Sequence, residues 1–306
     1  VGTQPNGKIG TGTPSVNVAF NSAKSSYAGE DVTNRETIIS AGGTASVTTP
    51  DKLAIDGAQV IGNTVNVDVG ALDITSRQDT STYSAKDKSI GLSASIDMAG
   101  QVSVAGNLSK GKQSGDFASV AEQSGIFAGS GGYNVKVDTN TNLTGAVIAS
   151  DAHPSKNTLT TGTLTASDIA NKESYKASSM SLGAGIGANL SSENGTNINT
   201  DGSGNKLPGI QTAIGTLSAT APTAMSASGS QSGTTVSAIS PGTIAITSGD
   251  AASQQTADTV SRDTASANDG AITRDYDDAK REEIALGFEA TKMLAGETAT
   301  FFANRA

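Results

Sequence analysis

The chain predicts an all-β fold, a right-handed parallel β-helix followed by a C-terminal helical tail, and three observations predict it. Its middle repeats at a fixed period, its apolar residues alternate in short runs bounded by Gly, Asn and Asp, and its aromatic content is only 4%. Thr44–Ile61 (TASVTTPDKLAIDGAQVI) and Tyr133–Ile148 (YNVKVDTNTNLTGAVI) each follow a Gly-Gly pair, Gly42-Gly43 and Gly131-Gly132. Asp79–Ile96 then parallels Asn171–Leu190, with Tyr83 matching Tyr175 and Gly91 matching Gly183 at one offset of 92 residues (175 − 83 and 183 − 91). Recurrence at a fixed period marks stacked repeats, in which each unit buries its apolar face only against its neighbours.

Composition agrees. The 306 residues include 36 Gly, one His, no Cys and no Trp. The apolar residues, 35% without Gly, are mostly Val, Ile, Ala and Leu in short runs, so thin and regularly spaced core layers fit better than one large core. Ser, Thr, Gly and Asn are abundant enough to suggest disorder, but strict alternation argues against it.

Along the chain, Val16-Asn17-Val18-Ala19-Phe20 is the first alternating run. The clearest rungs lie in Lys52–Thr75, where Leu53-x-Ile55 returns as Leu72-x-Ile74 with Val65-x-Val67-x-Val69 between them. Alternation sends successive side chains to opposite faces, so each run marks a half-buried strand. Gly57, Gly62 and Gly70 are expected at the corners, where a positive φ costs Gly nothing. Leu53 should stack on Leu72 and Ile55 on Ile74 at about 4.8 Å, and about eleven such rungs would form a rod of about 50 Å. Hairpin signals such as Asn-Gly are scarce, which argues against a sandwich.

Val102-Ser103-Val104 reads as a further strand, and Gly183-x-Gly185-x-Gly187 as a strand face open to close approach of another backbone. Ser191–Ser232 reads as a flexible outward loop or an extended hairpin, and Thr234–Thr247 as a strand pair turning at Pro241-Gly242. From Asp250 the pattern becomes helical. Ala251–Ala267 is marginal by propensity; Asp275–Asn304 is stronger, with Asp275, Asp277 and Asp278 at its start and a stripe of Ile284, Phe288, Thr291 and Ala295. The organisation expected is a β-helical repeat domain over 1–248, duplicated near 36–100 and 125–190 with a flexible stretch at 191–232. A helical tail over 249–306 follows, either covering the open edge of the helix or linking to a downstream segment.

The formal net charge of −9 argues against nucleic acid, or an anionic membrane surface, as the main partner. No signal peptide opens the chain and no apolar run approaches the roughly 18 residues of a membrane helix. Absence of Cys suits a secreted bacterial protein. Gly106-Asn-Leu-Ser-Lys-Gly111-Lys112 resembles a P-loop, but Gln113 stands where the Mg²⁺-binding hydroxyl should be, so a solvated corner loop is expected. Asp138-x-Asn140-x-Asn142 opens like a Ca²⁺ loop, yet Leu143 and Ala149 stand where Gly and Glu are needed; Asx turns at a β-arc explain it better. His153 is a lone histidine with no nucleophile elbow to serve, hence a surface residue. Polysaccharide-cleaving enzymes place grouped acids on β-helices, but no such grouping marks these rungs. The expected catalytic, cofactor-binding and metal-binding residues are therefore none.

Several phrases in order, QDTSTYSAKDKSIGLS, SGIFAGSGGYNVKV, LTGAVIAS, KNTLTTGTLTASDIANKESYKASS, AISPGTIAIT and TADTVSRDTASAN, carry a family resemblance. From about residue 36 to 267 the chain resembles the filamentous-haemagglutinin repeat region of contact-dependent growth inhibition and two-partner-secretion exoproteins, in particular their second, C-terminal repeat block. The resemblance implies export through an outer-membrane two-partner-secretion transporter and display, secreted, on the bacterial cell surface. It also implies engagement of the target-cell outer membrane or its proteins, with help to a C-terminal toxin in crossing it. It implies no catalytic residue. The expected function is a non-enzymatic toxin-delivery scaffold, the alternative a passive filament shaft or adhesin segment. Self-association is a further expected partnership, because small polar residues guard strand edges poorly.

Overall fold

The structure, a computed structural model, describes residues 15–97, 101–189 and 213–303. In chain order the strands are β1 (Ser15–Val32), β2 (Thr37–Asp56), β3 (Ala58–Thr75), β4 (Asp79–Asp97), β5 (Gln101–Ser119) and β6 (Gly125–Thr144). They continue as β7 (Val147–Ser150), β8 (Thr158–Ser167), β9 (Ile169–Asn189), β10 (Ala213–Thr235), β11 (Ala238–Ile239) and β12 (Thr243–Ile246). Two helices follow, α1 (Ala251–Thr259) and α2 (Asp278–Ala303). The fold is all-β, a parallel β-helix with C-terminal helices, but only part of the β structure is helix.

The parallel part is a stack of five rungs: β2, β3, β6, then β7 with β8, then β11 with β12. Its register is the expected one, with Leu53 opposite Leu72 and Ile55 opposite Ile74. The next rung continues each column: Val65 meets Tyr133, Val67 meets Val135, Val69 meets Val137 and Ile74 meets Leu143. Pairing breaks twice per rung, at Ala41/Thr44 and Thr49/Lys52 and again at Gly62/Thr64 and Val69/Leu72, so each long strand bends through two corners. Inward residues from successive rungs form one dry core in which Val65, Leu72, Ile74, Val135, Leu143 and Leu159 are fully buried.

The corner glycines divide into two kinds. Gly57 (φ 58°) joins the first rung to the second, and Gly145 (φ 55°) joins the third to the fourth, both in the left-handed region that a side chain strains to occupy. Gly62 and Gly70, expected to be similar, lack a positive φ and lie instead at the register breaks, packed against Ala45 and Pro50.

The rod of eleven rungs is corrected to five among the described residues, because five of the twelve strands leave the stack. β1, β4, β5, β9 and β10 form a separate antiparallel sheet in that order. The order has a simple cause. β1 runs into the first rung, β4 out of the second, β5 into the third, β9 out of the fourth and β10 into the fifth, through connections of a few residues. Rung order thus becomes strand order, and the in–out alternation makes the extension antiparallel. Within the 191–232 stretch, residues 213–232 are strand β10, consistent with the extended hairpin rather than a loop; residues 191–212 lie outside the described residues.

Where the chain changes sheets, buried side chains satisfy the interrupted backbone. Ser76 Oγ donates to the Gly145 carbonyl (2.6 Å) and accepts from the Ser124 amide (2.8 Å). Asn171, 1% exposed, accepts from the Val120 amide (3.0 Å) and donates to Thr235 Oγ1 (2.9 Å). Buried polar groups need such partners. The far end of the stack is closed by α1, whose Ala257 joins the core while Ser253 Oγ accepts from the Leu164 amide (3.1 Å).

Candidate functional site

The two faces of the antiparallel sheet differ, and the candidate site is built from that difference. One register row crosses all five strands as Gly29, Tyr83, Gly115, Tyr175 and Gly229. Tyr83 and Tyr175 are the pair matched in the duplication. Tyr276, from the segment leading into α2, drops between them: it stacks on Tyr175 (centroids 4.4 Å, 5° between planes) and meets Tyr83 edge-on (6.3 Å, 71°). Gly115 makes room, since a Cβ there would lie 2.5 Å from Tyr276 Cδ1. The Arg281 guanidinium lies 4.2 Å from the Tyr83 ring centroid, within cation–π range. Tyr276 Oη donates to Gln113 Oε1 (3.1 Å), and burial raises its phenol pKa. Ile284 and Phe288 of α2 pack on this cluster, so two members of the expected helical stripe do what the stripe implied. Asp277 accepts from the Lys280 amide (2.8 Å) at the helix start, as an acidic N-terminus should. Glu173 binds the amides of Asp275 (3.0 Å) and Tyr276 (2.8 Å), fixing the tail to the sheet.

The other face is largely exposed among the described residues. In its distal half β1 presents Val16, Val18 and Phe20, β4 presents Ile90, Leu92 and Ile96, β5 presents Val104 and Leu108, and β9 presents Leu182 and Ile186. All are exposed, Phe20 at 63% and Leu92 at 54%. The reverse side of the same strands carries Asn21, Ser93, Ser95, Ser103, Asn107 and Ser181, so the alternation is apolar against small and polar. Next to the apolar band runs a basic belt. Lys24, Lys88 and Lys110 are directly opposite one another, and Lys86 opposes Lys112 two residues along the same face. The net charge of −9 conceals this concentration.

The motifs weighed from sequence fall elsewhere or change character. Gly106–Lys112 is part of strand β5 rather than a corner loop, and an extended strand cannot wrap a phosphate. Asp138 and Asn140 flank the break between Val137 and Asn140, the β-arc expected of them. His153 is exposed and shares a hydrogen bond with Ser155 Oγ (2.9 Å) in the turn before Pro154–Lys156. Gly187, expected to admit another backbone, has open space beside it. Among the described residues no group of three or more His, Cys, Asp or Glu gathers to hold a metal ion, and no helix is long and apolar enough to cross a membrane. The open face was not read from the sequence, although its alternating residues, Val16-x-Val18-x-Phe20 and Val102-x-Val104, were.

Comparison with known proteins fits this architecture. The Hemagglutinin repeat family matches residues 3–90 and 84–153. A "tRNA nuclease CdiA" of Escherichia coli (strain STEC_O31) is 38% identical over 258 residues, covering 83% of this chain and 7% of the relative. A "Toxin CdiA" of Escherichia coli is 35% identical over 300 residues, 97% of this chain and 9% of the relative. A "Deoxyribonuclease CdiA" of Yersinia pseudotuberculosis serotype O:3 (strain YPIII) is 35% identical over 268 residues, 86% of this chain and 23% of the relative. The chain therefore spans a small part of these relatives' length. No solved structure matches it. The repeats, the rung architecture and this coverage make the chain a filamentous-haemagglutinin repeat region of a contact-dependent growth inhibition exoprotein of the two-partner-secretion type.

Proposed function

We propose that this segment is a non-enzymatic scaffold that helps deliver a C-terminal toxin across the outer membrane of a target cell. The observation that favours delivery over passive support is the open antiparallel sheet. A shaft needs only a covered stack, whereas here five strands leave the stack and hold an exposed apolar face to one side. The nuclease and toxin names belong to relatives of which this chain covers a minor part, so no catalytic, cofactor or metal site is assigned to it.

On this reading the segment is secreted by a two-partner-secretion transporter, stands on the producer's surface and meets the target-cell outer membrane or its proteins, with no nucleic-acid partner. Residues 1–248 act as the repeat domain, and the tail from 249 is locked onto it through α1 and Tyr276. Deleting residues 36–248 from a full-length exoprotein should leave cell–cell adhesion intact and abolish poisoning of target cells. Persistence of toxin uptake would exclude the delivery role. Joint loss of adhesion and uptake would favour the alternative, a filament shaft or adhesin segment.

A further inference from the structure

We propose that the open face of the antiparallel sheet docks on a lipid leaflet whose headgroups carry phosphate, with the apolar band against the acyl layer and the lysine belt at the phosphates. The proposal gives the delivery reading its membrane-facing surface and rests on that reading for its place in the cell.

Two adjoining features carry it. The first is the band itself. Four consecutive register rows, from Val16/Ile96 to Ile90/Leu108, make a patch about 20 Å long on a spacing of about 3.3 Å per residue, and about 20 Å wide across neighbouring strands. An exposed apolar patch of that size marks an interaction site. Its strict alternation with Asn, Ser and Gly is the pattern of a sheet with lipid on one side and water on the other.

The second feature is the belt. Lys24, Lys88 and Lys110 sit side by side, and like charges directly opposite one another are unfavourable. None of the five lysines forms an ion pair with a described residue. They surround a shallow cavity of about 260 Å³, with Asp87 the one acid on its lining. A protein with net charge −9 that crowds five unpaired lysines beside an apolar band presents a surface for anionic groups joined to apolar ones.

A second copy of the chain is the competing occupant. It could cover the band, but the carboxylates of this face, Glu30 and Asp116, lie near the stack and away from the band, so a copy leaves the belt unmatched. A phosphate-bearing leaflet matches both at once. Because β1 and β10 are the sheet's edge strands among the described residues, a sheet of these five strands cannot span the hydrocarbon with its backbone satisfied; it lies in the interface, face down.

The test is flotation of the 306-residue chain with vesicles of phosphatidylcholine alone or with added phosphatidylglycerol. The chain should float with the anionic vesicles, less so as salt rises. Replacing the five belt lysines by Gln should lower the bound fraction at least tenfold. Leu92→Asp with Leu108→Asp should abolish binding while circular dichroism stays unchanged. Anionic-vesicle binding that survives the Leu92/Leu108 change would overturn the proposal, as would failure of the unchanged chain to float. A dimer in sedimentation that Leu92→Asp dissociates, with no flotation, would overturn it in favour of a second copy. Failed flotation with the deletion phenotype intact sinks the lipid surface alone; flotation with toxin uptake surviving the deletion sinks the delivery role alone.

Discussion

The parallel stack and the antiparallel sheet use the same alternation of apolar and polar residues, yet one hides its apolar face and the other displays it. In the stack, Val65, Leu72 and Ile74 are sealed by the rungs above and below and by the bend of each rung around them. In the sheet, Leu92 and Ile186 have equally good strand neighbours and nothing over them among the described residues. Alternation specifies which face is apolar. Cover depends on whether the chain curls back on itself, and here it curls only between the corners.

The contrast is sharpest for a charge placed on each face. Leu72→Asp buries an unpaired carboxylate in a dry column and should destabilise the chain by at least about 4 kcal/mol, whereas Leu92→Asp should change stability by no more than about 0.5 kcal/mol. Urea unfolding of the two variants measures the difference; similar losses would mean that the sheet's open face is covered in solution.

A smaller effect tests the joint between the regions. Tyr276→Ala removes the ring stacked on Tyr175 and should cost about 2–3 kcal/mol locally, loosening α2 and leaving the stack intact. Hydrogen exchange should rise in 276–294 and stay low in β3 and β6. Equal deprotection of all three would show that tail and stack unfold as one unit.

The smallest effect appears only in base. Tyr133 is buried in the stack, donates to the Ser240 carbonyl (3.2 Å), and burial pushes its phenol up to about 12. The folded state thus resists ionisation that the unfolded chain accepts near pH 10. Stability from this site is full below pH 10 and falls as pH rises towards 12, by about 1.4 kcal/mol per unit at most. Tyr133→Phe should flatten that fall in pH-dependent denaturation. An unchanged slope would place the titrating group elsewhere.

The rungs were legible because their columns are spelled out in one stretch. Leu53-x-Ile55 and Leu72-x-Ile74 differ by one turn of the helix, and the structure pairs them residue for residue. Gly57 was legible as a corner for its position between two such runs. The antiparallel sheet was not, because its strands pair across long sequence separations, β5 with β9 and β1 with β4, and an alternating run does not say which other run will lie beside it. Tyr83 and Tyr175 were visible as a repeat, but their shared partner Tyr276 lies far along the chain, and its approach depends on the small residue Gly115 on a strand between them. The basic belt escaped for a related reason. Its lysines come from β1, β4 and β5, and only strand register turns five dispersed residues into a patch.

The alternation of tight and wide links between rungs has a kinetic consequence. The first and second rungs are joined through Gly57 alone, and the third and fourth through the short turn at Gly145–Ala146, so each pair closes at little loop entropy. The second and third rungs are separated by residues 76–124, which must first find their own pairing in β4 and β5. Local pairs form faster than distant ones. The chain should therefore assemble as two double-rung blocks, each nucleating alone, with the β4–β5 hairpin drawing them into register and setting the slow phase of folding.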